Sequence, residues 1–129
     1  MTPGDRTQLV WMQNAEPPGI YCADESDGEA LRICNQFSEG LYAYETGGVA
    51  AIPALAESCE PNAELTIWTC TLRSGVTFHD GAALDAGDVV TTYAVQWDAD
   101  HPLHKGRDGS FTYFPGLFGG FLNPPPPAA

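Results

Sequence analysis

Four cysteines, at positions 22, 34, 59 and 70, constrain this chain more than any other feature of its sequence. They form two local pairs of similar spacing, and neither pair has the Cys-x-x-Cys form of zinc ribbons and redox enzymes. Disulfides are the better interpretation, and they indicate an oxidising compartment outside the cytoplasm. Three pairings are formally possible, of which we expect Cys22 with Cys34 and Cys59 with Cys70, because near neighbours meet most readily.

The charge balance argues against one class of partner. The 129 residues include 17 acidic and 5 basic side chains, for a formal net charge of -12. Such a chain repels phosphate backbones and anionic lipid headgroups, so we expect no nucleic-acid partner. The acids are scattered along the chain, which favours a role in solubility over a cation site. The length suits one compact core.

Neither a signal peptide nor a membrane span is visible in the sequence. Residues 1–6 are polar, and no run of about 18 apolar residues follows. We therefore expect no direct membrane insertion of this segment. We also expect that the export signal implied by the disulfides lies outside these residues.

Apolar and β-branched residues predict several short strands. Residues 8–13 predict a first strand, and the strongest pattern, at residues 65–73, alternates with period two. An apolar run at residues 49–59 precedes it across a turn at residues 61–63. A disulfide between Cys59 and Cys70 would fit the resulting hairpin.

The acidic residues 24–29 open a helical pattern. Its apolar positions recur at intervals of three and four residues, at Ala30, Cys34, Phe37 and Leu41. Ser26 with Glu29 fits a capping box, and Gly40 fits a C-terminal cap. The stretch lacks the alternating carboxylates and distal glutamate of an EF-hand, so helix capping is favoured over a calcium loop.

A second helix follows a strand and a turn. Residues 76–79 predict the strand, Asp80-Gly81 the turn, and Asp85 the cap of the helix. The predicted inner face of this helix consists of Val89, Val90, Tyr93, Ala94 and Trp97. Residues 98–109 predict a polar loop.

An aromatic segment, residues 110–123, holds five aromatic side chains. Phe114, Phe118 and Phe121 have helical spacing, and Pro115 stands where a helix could start. So many rings in a short stretch favour burial against another part of a protein. Residues 124–129 form a proline-rich tail that we expect to be extended.

Three sequence blocks, in order, carry a family resemblance. The first is Glu39-Gly40-Leu41-Tyr42 with Tyr44, and the second is Pro-Ala-Leu-Ala-Glu-Ser at residues 53–58. The third and most specific block contains Leu72, Arg73, Gly75, Val76, Phe78, His79, Asp80, Gly81, Asp88, Val89 and Val90. Together they resemble family 5 of the extracellular solute-binding proteins, which includes the peptide- and nickel-binding components of ABC importers. Cys59, Cys70 and Gly87 depart from the family pattern.

The resemblance implies a fold. Family members fold as two lobes of the periplasmic-binding-protein type II class that close on their solute. The matching blocks belong to an α+β subdomain of the larger lobe, for which we expect a small antiparallel sheet, two main helices and two disulfides. Residues 1–123 would form this one subdomain, with the first strand at 8–13, a core at 24–97 and the aromatic segment.

The resemblance also implies a function. The chain would be a fragment of a substrate-binding protein that captures peptides or similar small solutes for import. Its partners would be the solute and the membrane subunits of an ABC importer, at the periplasmic or extracellular face of the cell membrane. The loop after the first strand passes near the solute in this family, so Asn14, Glu16 and Tyr21 are the candidate ligand-binding residues.

No residue pattern points to catalysis, a metal or a cofactor. His79 and Asp80 face opposite ways on a strand that enters a turn. The third block, here called the signature block, is therefore interpreted as structural. His101 and His104 flank a proline in a polar loop, where we expect solvent exposure. No nucleophile motif is present, so we expect no enzyme. The alternative is a secreted, disulfide-stapled interaction or structural domain that uses its aromatic segment.

Overall fold

The structure is a computed structural model that describes residues 10–106 and 109–123. The described part has an α+β fold built from three α-helices and four strands, with a 3-10 turn at Cys22–Asp24. The helices are α1 (Gly28–Cys34), α2 (Ala86–Trp97) and α3 (Tyr113–Phe118). The strands are β1 (Tyr42–Tyr44), β2 (Ala51–Pro53), β3 (Ala56–Pro61) and β4 (Trp68–Leu72). The α+β class is as predicted, but there are two two-stranded antiparallel sheets instead of one.

The β3–β4 hairpin contains one of the disulfides. Cys59 and Cys70 lie directly opposite each other, with their Cα atoms 4.0 Å apart. The predicted strand at 65–73 is shortened to Trp68–Leu72 because the side chain of Asn62 accepts hydrogen bonds from the N–H groups of Thr66 and Ile67. Those residues are therefore held in the turn.

The predicted first strand is wrong within the described residues. Residues 10–13 have no strand pairing, and residues 8 and 9 lie outside the described part. A strand is stable only beside a partner, and the described strands pair among themselves as β1 with β2 and β3 with β4.

Helix α1 begins and ends at residues other than those predicted. Asp27, not Ser26, is the N-cap, because its carboxylate accepts hydrogen bonds from the N–H groups of Glu29 and Ala30. The helix ends at Cys34, well before Gly40. The disulfide between Cys34 and Cys22 ties this end to the preceding 3-10 turn, with 5.8 Å between the Cα atoms.

Helix α2 has the predicted cap and a different buried face. Asp85 and Asp88 form a reciprocal capping box. Val90, predicted to face inward, is 67% exposed, whereas Val95 is buried. The reason is tertiary, because the aromatic segment packs on the side of α2 that carries Val95.

The aromatic segment supplies much of the small core. Phe111 and Phe114 are buried against Val95, with Ala23 and Phe121 packed beside them. The burial of Phe111 and Phe114 agrees with the expectation that rings of this segment pack against another part of a protein. Other apolar side chains of the segment are exposed, namely Tyr113, Leu117, Phe118 and Leu122. Residues 124–129, the predicted tail, lie outside the described part.

Candidate functional site

The signature block folds into a compact hairpin-like turn between β4 and α2. The N–H of Leu84 donates to the carbonyl of Val76, and Phe78 and Gly81 close a turn in which Gly81 has a φ of +89°. This left-handed backbone favours glycine. The predicted strand at 76–79 is reduced to a single bridge at Thr77, because the chain reverses so soon after it.

Two charged residues of the signature block, Asp80 and Arg73, are hydrogen-bonded to the protein backbone. The carboxylate of Asp80 accepts from the N–H of Ala82 at 2.9 Å, which is an Asx turn. Arg73 donates from Nε to the carbonyl of Ala54 at 2.6 Å and from its backbone N–H to Leu55. These contacts agree with the structural interpretation of the signature block, because both side chains are hydrogen-bonded to the protein backbone.

A cavity of about 610 Å³ opens beside this turn. One wall is the segment that leads from α1 into the sheets, including Phe37, Leu41 and Leu55. The rest of the lining comes from the turn of the signature block (residues 76–84, here called the signature turn), α2 and α3, including Phe78, Tyr93 and Leu117. We call this cavity the apolar groove, and its lining residues come from segments that are far apart in sequence.

The polar side chains of α2 that line the apolar groove are engaged by the helix itself. Asp88 accepts from the N–H of Asp85 in the capping box. Thr92 Oγ1 donates to the carbonyl of Asp88 at 2.9 Å, and Gln96 Nε2 donates to the carbonyl of Thr92 at 3.0 Å. The polar side chains of α2 are therefore engaged within the helix, whereas Ser38, Glu39, Thr77 and His79 also line the groove.

The candidate ligand-binding residues do not come together in either of the described cavities. Asn14, Glu16 and Tyr21 are all exposed, and none of them lines the apolar groove or the smaller cavity beside α2. Tyr21 instead packs edge-on against Phe111, with 6.0 Å between ring centroids. Their role in solute binding stays a prediction.

His104 differs from its expected solvent-exposed position. Its ring is only partly exposed, stacks near Phe111 with centroids 4.3 Å apart, and meets Phe121 edge-on. Nδ1 lies 2.6 Å from the carbonyl oxygen of Val95, and since a carbonyl only accepts, Nδ1 is the donor. Among the described residues, no group of three or more His, Cys, Asp or Glu side chains could hold a metal ion.

Two buried carboxylates were not recognised from the sequence. Asp24 and Glu25 are 3% and 2% exposed, and they lie in the acidic stretch interpreted as the start of a helix. Asp24 accepts from the backbone N–H groups of Gly109 and Phe111, which are brought to it only by the fold. No local pattern marks such a partner.

Comparison with protein families gives the match that decides the classification. Residues 50–111, which include the whole signature block, match the model of the bacterial extracellular solute-binding proteins, family 5 Middle. The chain belongs to this family. No solved structure gives a significant match to it.

The curated relatives of this chain are named for different ligands. The dipeptide-binding protein of Escherichia coli K12 is 36% identical, over 84% of this chain and 22% of the relative. Di/tripeptide-binding protein 3 of Pseudomonas aeruginosa is 31% identical, with the same coverage. Heme-binding protein A of Haemophilus influenzae is 35% identical over 57% of this chain. The dipeptide- and di/tripeptide-binding relatives match most of this chain, but the chain spans only about a fifth of their length.

Proposed function

We propose that this chain is a subdomain of a peptide-binding receptor that delivers short peptides to an ABC importer. The observation that carries the proposal is the alignment with dipeptide- and di/tripeptide-binding proteins over 84% of the chain. The heme-binding relative aligns over a smaller part, 57% of the chain, which favours peptides as the solute class.

Within such a receptor the chain has a bracing role. In its most specific block, the carboxylate of Asp80 accepts from the Ala82 N–H, and the side chain of Arg73 donates to the carbonyl of Ala54 before β3. The candidate ligand residues Asn14, Glu16 and Tyr21 would contribute at most one edge of a peptide site, since they are exposed and line neither cavity. The remaining contacts would come from the parts of the receptor that correspond to the other four-fifths of its relatives.

The proposed receptor acts outside the cytoplasm, in the periplasm or at the extracellular face of the membrane. Two disulfides, Cys22–Cys34 and Cys59–Cys70, suit this compartment. In the described part, no helix is both long and apolar enough to cross a membrane. The membrane subunits of the importer would be its protein partners, and the family is one of binding proteins, not of enzymes.

The proposal is tested by calorimetry with two proteins. The first is the isolated chain, which should give no saturable heat with a mixture of dipeptides and tripeptides. The second is a chimera in which the chain replaces the matching fifth of the E. coli dipeptide-binding protein, and this should bind dipeptides. Micromolar binding by the isolated chain would show that it is a complete receptor. A folded chimera that binds no peptide would overturn the peptide assignment.

A second candidate function is a secreted interaction domain that uses the aromatic segment. Tyr113, Leu117 and Phe118 favour it, because these side chains are 54%, 79% and 52% exposed. An uncovered apolar face promotes self-association. Light scattering at rising concentration distinguishes the two candidates, since the interaction domain should form oligomers and a strictly monomeric chain would argue against it.

A further inference from the structure

The disulfide of the β3–β4 hairpin is accessible to solvent and is not part of the family pattern. Cys59 and Cys70 both depart from that pattern, although they lie within residues 50–111, which match the family. Cys70 is exposed and Cys59 is partly buried, whereas Cys34 in the other disulfide is 4% exposed. A thiolate in solution therefore reaches the hairpin disulfide more readily than the other one.

The hairpin is closed by contacts that do not involve sulfur. At its turn, the Asn62 N–H donates to the carbonyl of Ile67 at 2.8 Å, and the Asn62 side chain accepts from the N–H groups of Thr66 and Ile67. Beyond its other end, the N–H of Arg73 donates to the carbonyl of Leu55 at 2.9 Å. The antiparallel ladder runs between these contacts. We therefore expect the hairpin to persist when its disulfide opens, which keeps the two sulfur atoms close together.

Persistence of the hairpin makes the opening of its disulfide reversible. Cys59 and Cys70 lie directly opposite each other in the ladder, with their Cα atoms 4.0 Å apart. A thiol held so near a mixed disulfide attacks it within the same molecule, which is favoured over attack by a second molecule. Because Cys70 is the more exposed of the two, it is the sulfur that a thiol attacks from solution. Cys59 is then the sulfur that closes the bridge again.

The charges on the hairpin favour one class of thiol. Glu57 and Glu60 flank Cys59 in β3 with exposed side chains, and neither β3 nor β4, both wholly within the described part, contains a basic residue. Arg73 follows β4, and its Nε is bound to the carbonyl of Ala54. At about 3.3 Å per strand residue, both carboxylates lie within a Debye length of the disulfide. An ammonium group on the attacking thiol is therefore attracted, and a carboxylate is repelled.

We propose that Cys70 is a site of reversible thiol exchange with small aminothiols, such as cysteamine or cysteine, and that Cys59 is its resolving residue. The aminothiol thiolate bonds to Sγ of Cys70 as the bond between the two cysteine sulfurs breaks. The electron pair of that bond leaves on Sγ of Cys59, which takes a proton from water. The aminothiol is thereby oxidised to a mixed disulfide, and Cys59 is reduced to a thiol. In the return step the Cys59 thiolate attacks Sγ of Cys70 and releases the aminothiol. This inference goes beyond the proposed receptor function and does not depend on it.

Acid trapping followed by peptide mass spectrometry tests the position of the exchange in the unsubstituted chain. The oxidised protein is incubated in a buffer of cysteamine and cystamine and quenched with acid, and its free thiols are then alkylated. We expect cysteamine adducts on Cys70, alkylated Cys59, an intact Cys22–Cys34 bridge and an unchanged far-UV circular dichroism spectrum. Adducts mainly on Cys59, no adduct on Cys70, equal opening of both disulfides, or loss of the spectrum as the hairpin disulfide opens would each overturn the proposal.

Two variants test the resolving role of Cys59. After the buffer is removed under argon, Cys59→Ser should keep its cysteamine adduct on Cys70, whereas the unsubstituted chain should lose the adduct and regain the disulfide. Cys70→Ser is the matched control, and it should form its adduct on Cys59 at least about threefold more slowly, because Cys59 is less exposed. Equal persistence of the adduct in the unsubstituted chain and in Cys59→Ser refutes the resolving role, and equal rates in the two variants refute the preference for Cys70. Circular dichroism checks that each variant is folded, and if either unfolds, closure of the disulfide in the unsubstituted chain decides alone.

A pair of oppositely charged thiols tests the preference for aminothiols. At low salt, cysteamine should open the hairpin disulfide at least about threefold faster than mercaptopropionate, after each rate is divided by that thiol's rate with uncharged hydroxyethyl disulfide. About 1 M salt should remove most of this difference. Replacing Glu57 and Glu60 together by glutamine should reduce it, whereas Glu45→Gln, between β1 and β2, should not. A ratio near one at low salt, or equal effects of the two sets of substitutions, contradicts the preference.

Discussion

The buried carboxylate of Asp24 holds the backbone of Phe111, which is 87 residues away in the chain. Oδ1 accepts from the Phe111 N–H at 2.6 Å, and Oδ2 accepts from the Gly109 N–H at 2.9 Å. Phe111 has a φ of 41°, a left-handed conformation that is unfavourable for a bulky residue. Asp24 therefore stabilises the strained turn that delivers the Phe111 ring to the core.

Asp24→Asn should lower the free energy of unfolding by about 1–3 kcal/mol, because the amide keeps one acceptor and places an NH₂ group against a donor. Urea denaturation followed by tryptophan fluorescence measures this loss. Asp27→Asn is the matched control, since asparagine caps helices as well as aspartate does. Equal effects of the two substitutions would contradict the anchoring role of Asp24.

The two disulfides should differ in their resistance to reduction. Cys70 is exposed, whereas Cys34 is 4% exposed, so a thiolate reaches the Cys59–Cys70 bridge more readily. Alkylation and mass spectrometry during a dithiothreitol time course should show Cys59 and Cys70 modified first. Modification of Cys22 and Cys34 at the same rate would show that exposure in the native state does not control the reaction.

Removing the hairpin disulfide should destabilise the chain. Replacing Cys59 and Cys70 together by serine should cost about 3 kcal/mol in the chain-entropy model, for a sequence separation of 11. Thermal unfolding of the oxidised proteins measures the change. Tyr42 should retain its contact, in which its hydroxyl oxygen accepts from the Cys59 N–H, because the backbone pairing does not depend on the sulfur atoms.

The capping box of α2 gives a local prediction. Asp85→Ala should cost about 1 kcal/mol, because it leaves helix N–H groups at the first turn without a side-chain acceptor. Asp85→Ser keeps an acceptor and should restore most of this loss. Far-UV circular dichroism during thermal unfolding compares the two variants, and equal losses would contradict the role of the side-chain oxygen.

Acid stability should depend on Asp98. The hydrogen bond from Asn123, then that from the Asp100 N–H, lowers the pKa of the Asp98 carboxyl, with smaller contributions from His101 and His104. A folded-state pKa below the unfolded one stabilises the protein above the unfolded pKa, and this contribution is lost as the pH falls from about 4 through the lowered value. Asn123→Ala should raise the pKa of Asp98 and weaken this pH dependence, as followed by NMR titration of the carboxyl carbon. An unchanged titration would exclude Asn123 as the main cause.

The features that the sequence predicts well have partners within about a dozen residues. The two disulfides, the Asp80-Gly81 turn and the Asp85 cap are of this kind, and so is the hairpin that contains Cys59 and Cys70. In each case a short loop closes at small entropic cost, so side-chain chemistry and spacing are sufficient. Even here the ends of elements differ from the prediction. The side chain of Asp27 caps α1 in place of Ser26, and that of Asn62 binds the N–H of Ile67, so β4 begins later than predicted.

The sequence by itself determined the family, the pairing of the four cysteines, the Asp80-Gly81 turn and the Asp85 cap. Only the tertiary structure decided that Val95 and not Val90 is buried, that Asp24 and His104 serve the core, and that the apolar groove lies between distant segments. The physical reason is that burial depends on which segments meet in space. A periodic pattern shows that a helix has an apolar face, but the partner that covers this face comes from elsewhere in the chain.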